Sequence, residues 1–189
     1  MITIVGAGAL GSHVALFLRE EYKLKVIDFD RVKSKNVQAQ FHTNMGLGKN
    51  KAKALQQTMQ GMFGVTIEAV PYALTASNWS EVLMDADLII DCTDNLAART
   101  LCMDYWDNYA VPVLHGCLSA DGTFARVIWT EDFVPDAESE EGEATCEGGE
   151  HLPFYGAAAA YIAVESQRFL KTGKKRSFQL TPAGMVRLT

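Results

Sequence analysis

The stretch whose reading decides the fold is Ile2 to Asp30, "ITIVGAGALGSHVALFLREEYKLKVIDFD". Ile2 to Val5 is a short apolar run of the kind that forms a buried strand, and a glycine turn follows it. From Ala9 onward apolar residues recur at helical spacing, and Leu24 to Ile27 is a second apolar run. The whole reads as strand, helix, strand. Gly6, Gly8 and Gly11 in "GAGALG" form the G-x-G-x-x-G pattern between strand and helix, where glycines let the backbone approach a phosphate and the helix start offers unpaired N–H groups. Asp28 follows the second strand, where an acidic residue can hydrogen-bond ribose hydroxyls. These features predict a nucleotide site and do not separate NAD from ATP.

Working outward, the polar segment 31–49 precedes a helix at 49–62, and Val65 to Val70 reads as a strand. A short helix after Asn78 leads into "DADLIIDCTDN", an apolar strand with a polar end. A helix from Ala97 to Ala110 and strands at Val111–Leu118 and Gly122–Trp129 come next. Leu152 to Gly173 reads as a long helix, apolar on nearly all sides, which must be buried in this domain or against a partner subunit. "SFQLTPAGMVRL" closes the chain as two strands around a turn. Strands alternating with helices predict an α/β fold. The expected architecture is a doubly wound, mostly parallel Rossmann-like sheet with helices on both faces and antiparallel C-terminal strands. Residues 1–189 are read as one domain, since that length suffices for one full core.

The chain carries a net charge of -6, and Glu131 to Glu150 holds nine acidic residues and no Lys or Arg. The remainder sums to +3, so the acidity is local. That segment, 131–151, predicts a mobile surface loop. No basic stripe with interleaved aromatics is present, so nucleic-acid binding is not expected. Neither a signal region nor a long apolar span is read, so no membrane association is expected and the protein is placed in the cytoplasm. Cys92, Cys102, Cys117 and Cys146 show no Cys-x-x-Cys spacing, which argues against a zinc knuckle, and the first three read as buried thiols. The four histidines lack metal-ligand spacing and read as structural.

In order along the chain, "DFDRVKSKNVQAQ", "GLGKNKA", "DADLIIDCTDNLAARTLCMDYW" and "VPVLHGCLSADGTFARVIW" resemble the ThiF-type adenylyltransferases, which include sulfur-carrier activating enzymes and the adenylation domains of ubiquitin-activating enzymes. The resemblance runs from Ile2 to the last strand. It implies that ATP activates a carboxylate, typically the C-terminal glycine of a ubiquitin-like or sulfur-carrier protein, as an acyl-adenylate with release of pyrophosphate. It also implies a homodimer or a heteromeric partner. By motif position, Asp28 binds the ribose, Asp94 of "CTDN" holds Mg²⁺, and Lys51 of "GKNK" contacts the phosphates. Asp30, Asn36, Gln40 and Asn95 line the nucleotide site, and Arg99 matches a recurrent arginine. Cys146 falls where many relatives carry a cysteine that accepts the acyl group, although Glu143, Glu147 and Glu150 oppose thiolate formation there.

One departure qualifies this reading. The family usually has arginine within "N-x-x-R-Q", and here "NVQAQ" puts Ala39 at that place. Arg31, Lys33 and Lys35, or a side chain from another subunit, are the candidate replacements. Two alternatives therefore stand beside the enzyme: a degenerate nucleotide-binding partner subunit, and a small NAD-dependent oxidoreductase. No general acid or base for the latter is visible in the sequence.

Overall fold

The computed structural model describes residues 1–119, 122–135 and 149–188. Four mostly apolar runs become the central strands: β1 (Ile2–Val5), β2 (Leu24–Ile27), β4 (Leu88–Asp91) and β5 (Val113–Leu118), joined by β3 (Glu68–Val70). Helix α1 (Ala9–Leu18) links β1 to β2, and α2 (Asn36–Ala39), α3 (Lys51–Phe63), α4 (Trp79–Leu83) and α5 (Leu96–Tyr109) follow in order. After β6 (Ala125–Trp129) come α6 (Leu152–Thr172), β7 (Phe178–Thr181) and β8 (Gly184–Arg187).

The sheet order is β3-β2-β1-β4-β5-β6-β7-β8. The first five strands are parallel and the pairs from β5 onward antiparallel. Val5 pairs with Ile27 on one side and Asp91 on the other, so β1 ends level with both neighbours. The strand order reverses direction at β1, and in open α/β sheets the crevice at such a reversal takes the ligand.

Helices cover both faces, as the alternation predicts. On one side Leu10 and Val14 of α1, Leu55 and Met59 of α3, and Ile162 and Ala163 of α6 pack over the sheet. On the other, Val82 of α4 and Cys102 and Tyr105 of α5 pack on Val5, Ile27 and Ile89. Gly116 of β5 makes room for α6, because a Cβ there would stand 2.6 Å from Ile162 Cδ1. At the far end of α6, the fully buried Glu165 accepts hydrogen bonds from Trp129 Nε1, Arg168 and Arg176, which fastens the helix to the antiparallel strands.

Four expectations need adjustment. The strand read over Val65–Val70 pairs only from Glu68, where β2 offers a partner at Lys25. The segment 31–49 holds the short helix α2, which periodicity does not announce. Helix α6 is not buried all round: Tyr161 and Val164 are 41% and 52% exposed. Of the three thiols read as buried, Cys102 is, whereas Cys92 and Cys117 are partly exposed. Most of the predicted acidic loop, residues 136–148 with Cys146, lies outside the described residues. No helix among those described is long and apolar enough to cross a membrane.

Candidate active site

A cavity of about 480 Å³ opens at the ends of β1, β2 and β4, lined by the Gly6–Leu10 turn, Asp28, Lys51, Gln40 and the Cys92–Asn95 turn. Its floor is the glycine turn. Gly6 has φ +93°, and a Cβ on it would come within 2.9 Å of the Cys92 carbonyl oxygen. Gly8 faces open space, with nothing within 4 Å of an added Cβ, so a ligand's oxygens can approach there. Gly11 does not line the cavity: it sits in α1, and its Cβ would lie 1.9 Å from the Gly6 carbonyl oxygen. Its contribution is steric, letting α1 start tightly against the turn.

The β2 end is built around Asp28, whose Oδ2 accepts from Ala7 N–H at 2.6 Å and whose Oδ1 accepts from Asp30 N–H at 2.8 Å. Burial pushes the Asp28 carboxyl up, against the pull of Lys51 and of those two N–H groups. Lys51, only 8% exposed, donates to Asp30 Oδ2 at 3.0 Å and lines the cavity. It is no solvated helix residue. Lys49 instead donates to Gln57 and stands outside the lining. Asn50 ties these pieces together: its Oδ1 caps α3 by accepting from Lys53 N–H, while its Nδ2 donates to the carbonyls of Asp28 and Asp30.

The β4 end is organised by Asp91, which is fully buried. Its Oδ1 accepts from the backbone and hydroxyl of Thr93, and its Oδ2 lies 2.8 Å from His115 Nδ1 and 3.7 Å from Arg99 Nε. His115 Nε2 in turn meets Thr130 Oγ1 at 2.9 Å. Burial opposes a charge on Asp91, but the His115 hydrogen bond and the Arg99 charge outweigh it and hold the carboxyl below the usual range. The turn carrying Asp94 is thereby fixed. Asn95 caps α5 by accepting from Ala98 N–H, and Asp94 is left exposed, with no hydrogen bond or ion pair among the described residues. Arg99 donates from Nε to Thr93 O at 3.0 Å and from Nη1 to Cys117 Sγ at 3.2 Å. A second cavity of about 420 Å³, floored by Phe124, Ile128 and Phe133, shares Arg99 and Leu118 with the first.

Asn36 is spent on structure, since its Oδ1 accepts from Lys33 N–H and starts α2. Gln40 presents to the cavity side a buried Oε1 with no partner among the described residues, an acceptor that a ligand's hydroxyl or N–H can satisfy. Ala39 is fully buried against Ala9 and Tyr155, so α2 sends no cation into the cavity from that position.

The ThiF family model matches residues 1–183. The chain belongs to the ThiF family. Among curated ThiF-type relatives, the adenylyltransferase and sulfurtransferase UBA4 of Meyerozyma guilliermondii is 29% identical over 86% of this chain and 41% of its own length. The sulfur carrier protein adenylyltransferase of Thermus thermophilus is 32% identical over 62% of this chain and 45% of its own length. Among solved structures, E. coli MccB in its ATP complex superposes with a TM-score of 0.79 at 15% identity, over 100% of this chain and 63% of that one. That likeness shows a shared fold. This ThiF-family chain spans less than half the length of the curated relatives it matches.

Sequence reading did not single out Asp91, His115 or Asn50. For Asn50 a signal exists, an Asn immediately before an amphipathic helix. Asp91 and His115 come from different strands, and only the sheet brings them together.

His42 links the glycine turn to the pH of the medium. It is buried, its Nε2 is 2.8 Å from the Ala7 carbonyl oxygen, and burial pushes its pKa down to about 4, helped by Lys51 and His13. The unfolded chain binds this proton near pH 6.5 and the folded chain only near pH 4, so between those values the unfolded state holds more protons and stability falls as pH falls. The His42 share of that loss is about 2 kcal/mol by pH 5. Urea midpoints measured from pH 7.5 to 5 should decline in the wild type and decline by correspondingly less in His42→Gln.

Proposed function

We propose that this chain is an ATP-dependent adenylyltransferase that activates the C-terminal carboxylate of a ubiquitin-like or sulfur-carrier protein. The observation that carries the reading is the exposed Asp94 carboxylate, which lines one cavity with Lys51 and the glycine turn and feels only the charge of the nearby Arg99 among the described residues. Names such as sulfur carrier protein adenylyltransferase and SAMP-activating enzyme E1 among its relatives support the same chemistry.

In this reading ATP lies with its ribose at Asp28 and its phosphates over Gly8 and the start of α1, where the helix end favours negative charge. Phe29 and Tyr72, 61% and 51% exposed at the cavity rim, offer ring faces to the base. The acceptor's last residues enter through the second cavity, and Arg99 at the junction guides the terminal carboxylate. A carboxylate oxygen attacks the α-phosphorus. The bond from that phosphorus to the bridging oxygen breaks, and pyrophosphate leaves with the electron pair. No proton transfer is needed, so the residues act by positioning and charge neutralisation.

Asp94 fits a hard cation that keeps several waters and takes one carboxylate from the protein, whereas Asp30 is engaged by Lys51. Bound there, Mg²⁺ would screen the charge of the phosphates. Function as a homodimer or with a different partner subunit belongs to the same proposal, with the exposed Tyr161 and Val164 on α6 available for that contact.

A second reading, that the chain is a nucleotide-binding partner subunit without activity, is favoured by one feature, the buried Ala39. ATP-pyrophosphate exchange separates the two. Acceptor-dependent exchange is the expected result; magnesium-dependent ATP binding in calorimetry without exchange, for every carboxylate-terminated acceptor tried, would establish the second reading instead.

A further inference from the structure

Five cationic side chains line the larger cavity: Arg31, Lys33, Lys35, Lys51 and Arg99. Four of them already have partners, Lys35 among them. Lys51 is held by Asp30, Arg99 by the Thr93 carbonyl and Asp91, and Arg31 donates to the Gly48 carbonyl at 2.7 Å. Lys33 is different: its ammonium makes no hydrogen bond or ion pair with any described residue, yet its backbone is fixed. Its N–H donates to Asn36 Oδ1 at 2.8 Å and its C=O accepts from Asn36 N–H at 2.9 Å. The preceding Val32, 2% exposed, is anchored by Val32 N–H to Lys49 O at 2.9 Å. A pinned backbone with a free charged tip at a cavity wall suits a ligand anion, because little backbone entropy is lost when the tip engages.

We infer that Lys33 is a phosphate-contacting residue of the nucleotide cavity, closing on the β- and γ-phosphates from the segment before α2. This inference rests on the ATP reading above. The need for such a cation is visible in the charge balance of the cavity. A triphosphate brings about four negative charges. Asp28, Asp30 and Asp94 stand on the same walls, and Lys51 is already matched by Asp30. Helix α2 contributes nothing at Ala39, whose methyl is sealed against Ala9 and Tyr155. Lys33 supplies positive charge from the residue that precedes α2 by three positions.

The test uses the full chain and compares ligands that differ only in phosphate number. Calorimetry with ATP and with AMP, in magnesium and at two salt concentrations, is run on wild type, Lys33→Ala, Lys33→Gln, Lys33→Arg and the control Lys49→Ala. A charge-assisted phosphate contact is worth about a tenfold change in affinity. Lys33→Ala and Lys33→Gln should weaken ATP about tenfold and AMP less than twofold, with a shallower salt dependence for ATP. Lys33→Arg should restore ATP binding, and Lys49→Ala should match wild type. The inference is overturned if Lys33→Ala binds ATP as wild type does, if ATP and AMP weaken equally, or if wild type binds neither. A wild type that binds ATP through Lys33 but never exchanges pyrophosphate would sink the adenylylation reading and leave the Lys33 assignment standing.

Discussion

Asp94→Asn should lower acceptor-dependent ATP-pyrophosphate exchange by about 10²- to 10³-fold, the loss typical of removing one group that balances charge developing at a reaction centre. The substitution keeps the size and shape of the side chain and removes only its charge. Because Asp94 is exposed and makes no hydrogen bond among the described residues, only its screened attraction to Arg99 is lost, and the thermal midpoint should fall by no more than about 2 °C. The neighbouring scaffold is independent of it: Thr93 hangs from Asp91, and Asn95 caps α5. Magnesium dependence gives the decisive signature. In the variant, raising magnesium should recover little of the lost rate, whereas in wild type the rate should saturate. Exchange within about fivefold of wild type would mean that this carboxylate is merely solvated, and the assignment of the metal to it would be wrong.

Gly11→Ala should be the most damaging single-methyl change in the chain. Its Cβ would sit 1.9 Å from the Gly6 carbonyl oxygen and 2.9 Å from the Gly6 carbonyl carbon, atoms of backbone that cannot rotate away. Gly6 in turn lies so near the Cys92 carbonyl oxygen that a Cβ added to it would stand 2.9 Å away, and it already holds φ +93°, so the turn has little room to retreat. Relief requires α1 to move off the end of β1, opening the packing of Leu10 and Val14 in the core. Overpacking of this kind costs about 3 kcal/mol or more, a large fraction of a small domain's stability. Gly8→Ala is the matched comparison. No atom lies within 4 Å of its Cβ, and although its φ of -81° is open to alanine its ψ of -149° lies just outside the broad β region, so stability should fall by about 1 kcal/mol, well short of the Gly11→Ala loss, while ATP binding weakens, because the methyl would occupy the space left for phosphate oxygens. Urea denaturation and ATP titration of the pair check this: equal destabilisation of both variants would refute the division of labour between the two glycines.

That pair also shows what the sequence could and could not reveal. The pattern G-x-G-x-x-G places three glycines in one motif and treats them alike. Only the folded arrangement shows that Gly8 borders the ligand space while Gly11 serves the approach of α1. The sheet itself was legible, because β1, β2 and β4 are mostly apolar runs in which every position is buried. The segment 31–49 was not. Its shape is set by contacts far along the chain, such as Phe41 N–H to Ser12 Oγ at 2.9 Å and His42 to Ala7, which leave no periodic trace. Lys51 and Lys49 look interchangeable in "GKNK"; burial and the Asp30 contact distinguish them. The same holds for Arg99, whose match to a recurrent family arginine does not separate it from an ordinary surface arginine until β4 and β5 bring Asp91 and Cys117 beside it.

The central claim is that the cavity at the ends of β1, β2 and β4 couples ATP to a carboxylate. Its most direct test is to incubate the full chain with ATP, magnesium and a ubiquitin-like or sulfur-carrier acceptor ending in a free glycine carboxylate, and to weigh the acceptor by mass spectrometry. The account predicts an acceptor heavier by one adenylyl group, converted to the hydroxamate by hydroxylamine and absent with Asp94→Asn or with an acceptor whose C-terminus is amidated. ATP bound by the chain, with every acceptor recovered at its unmodified mass, would contradict it.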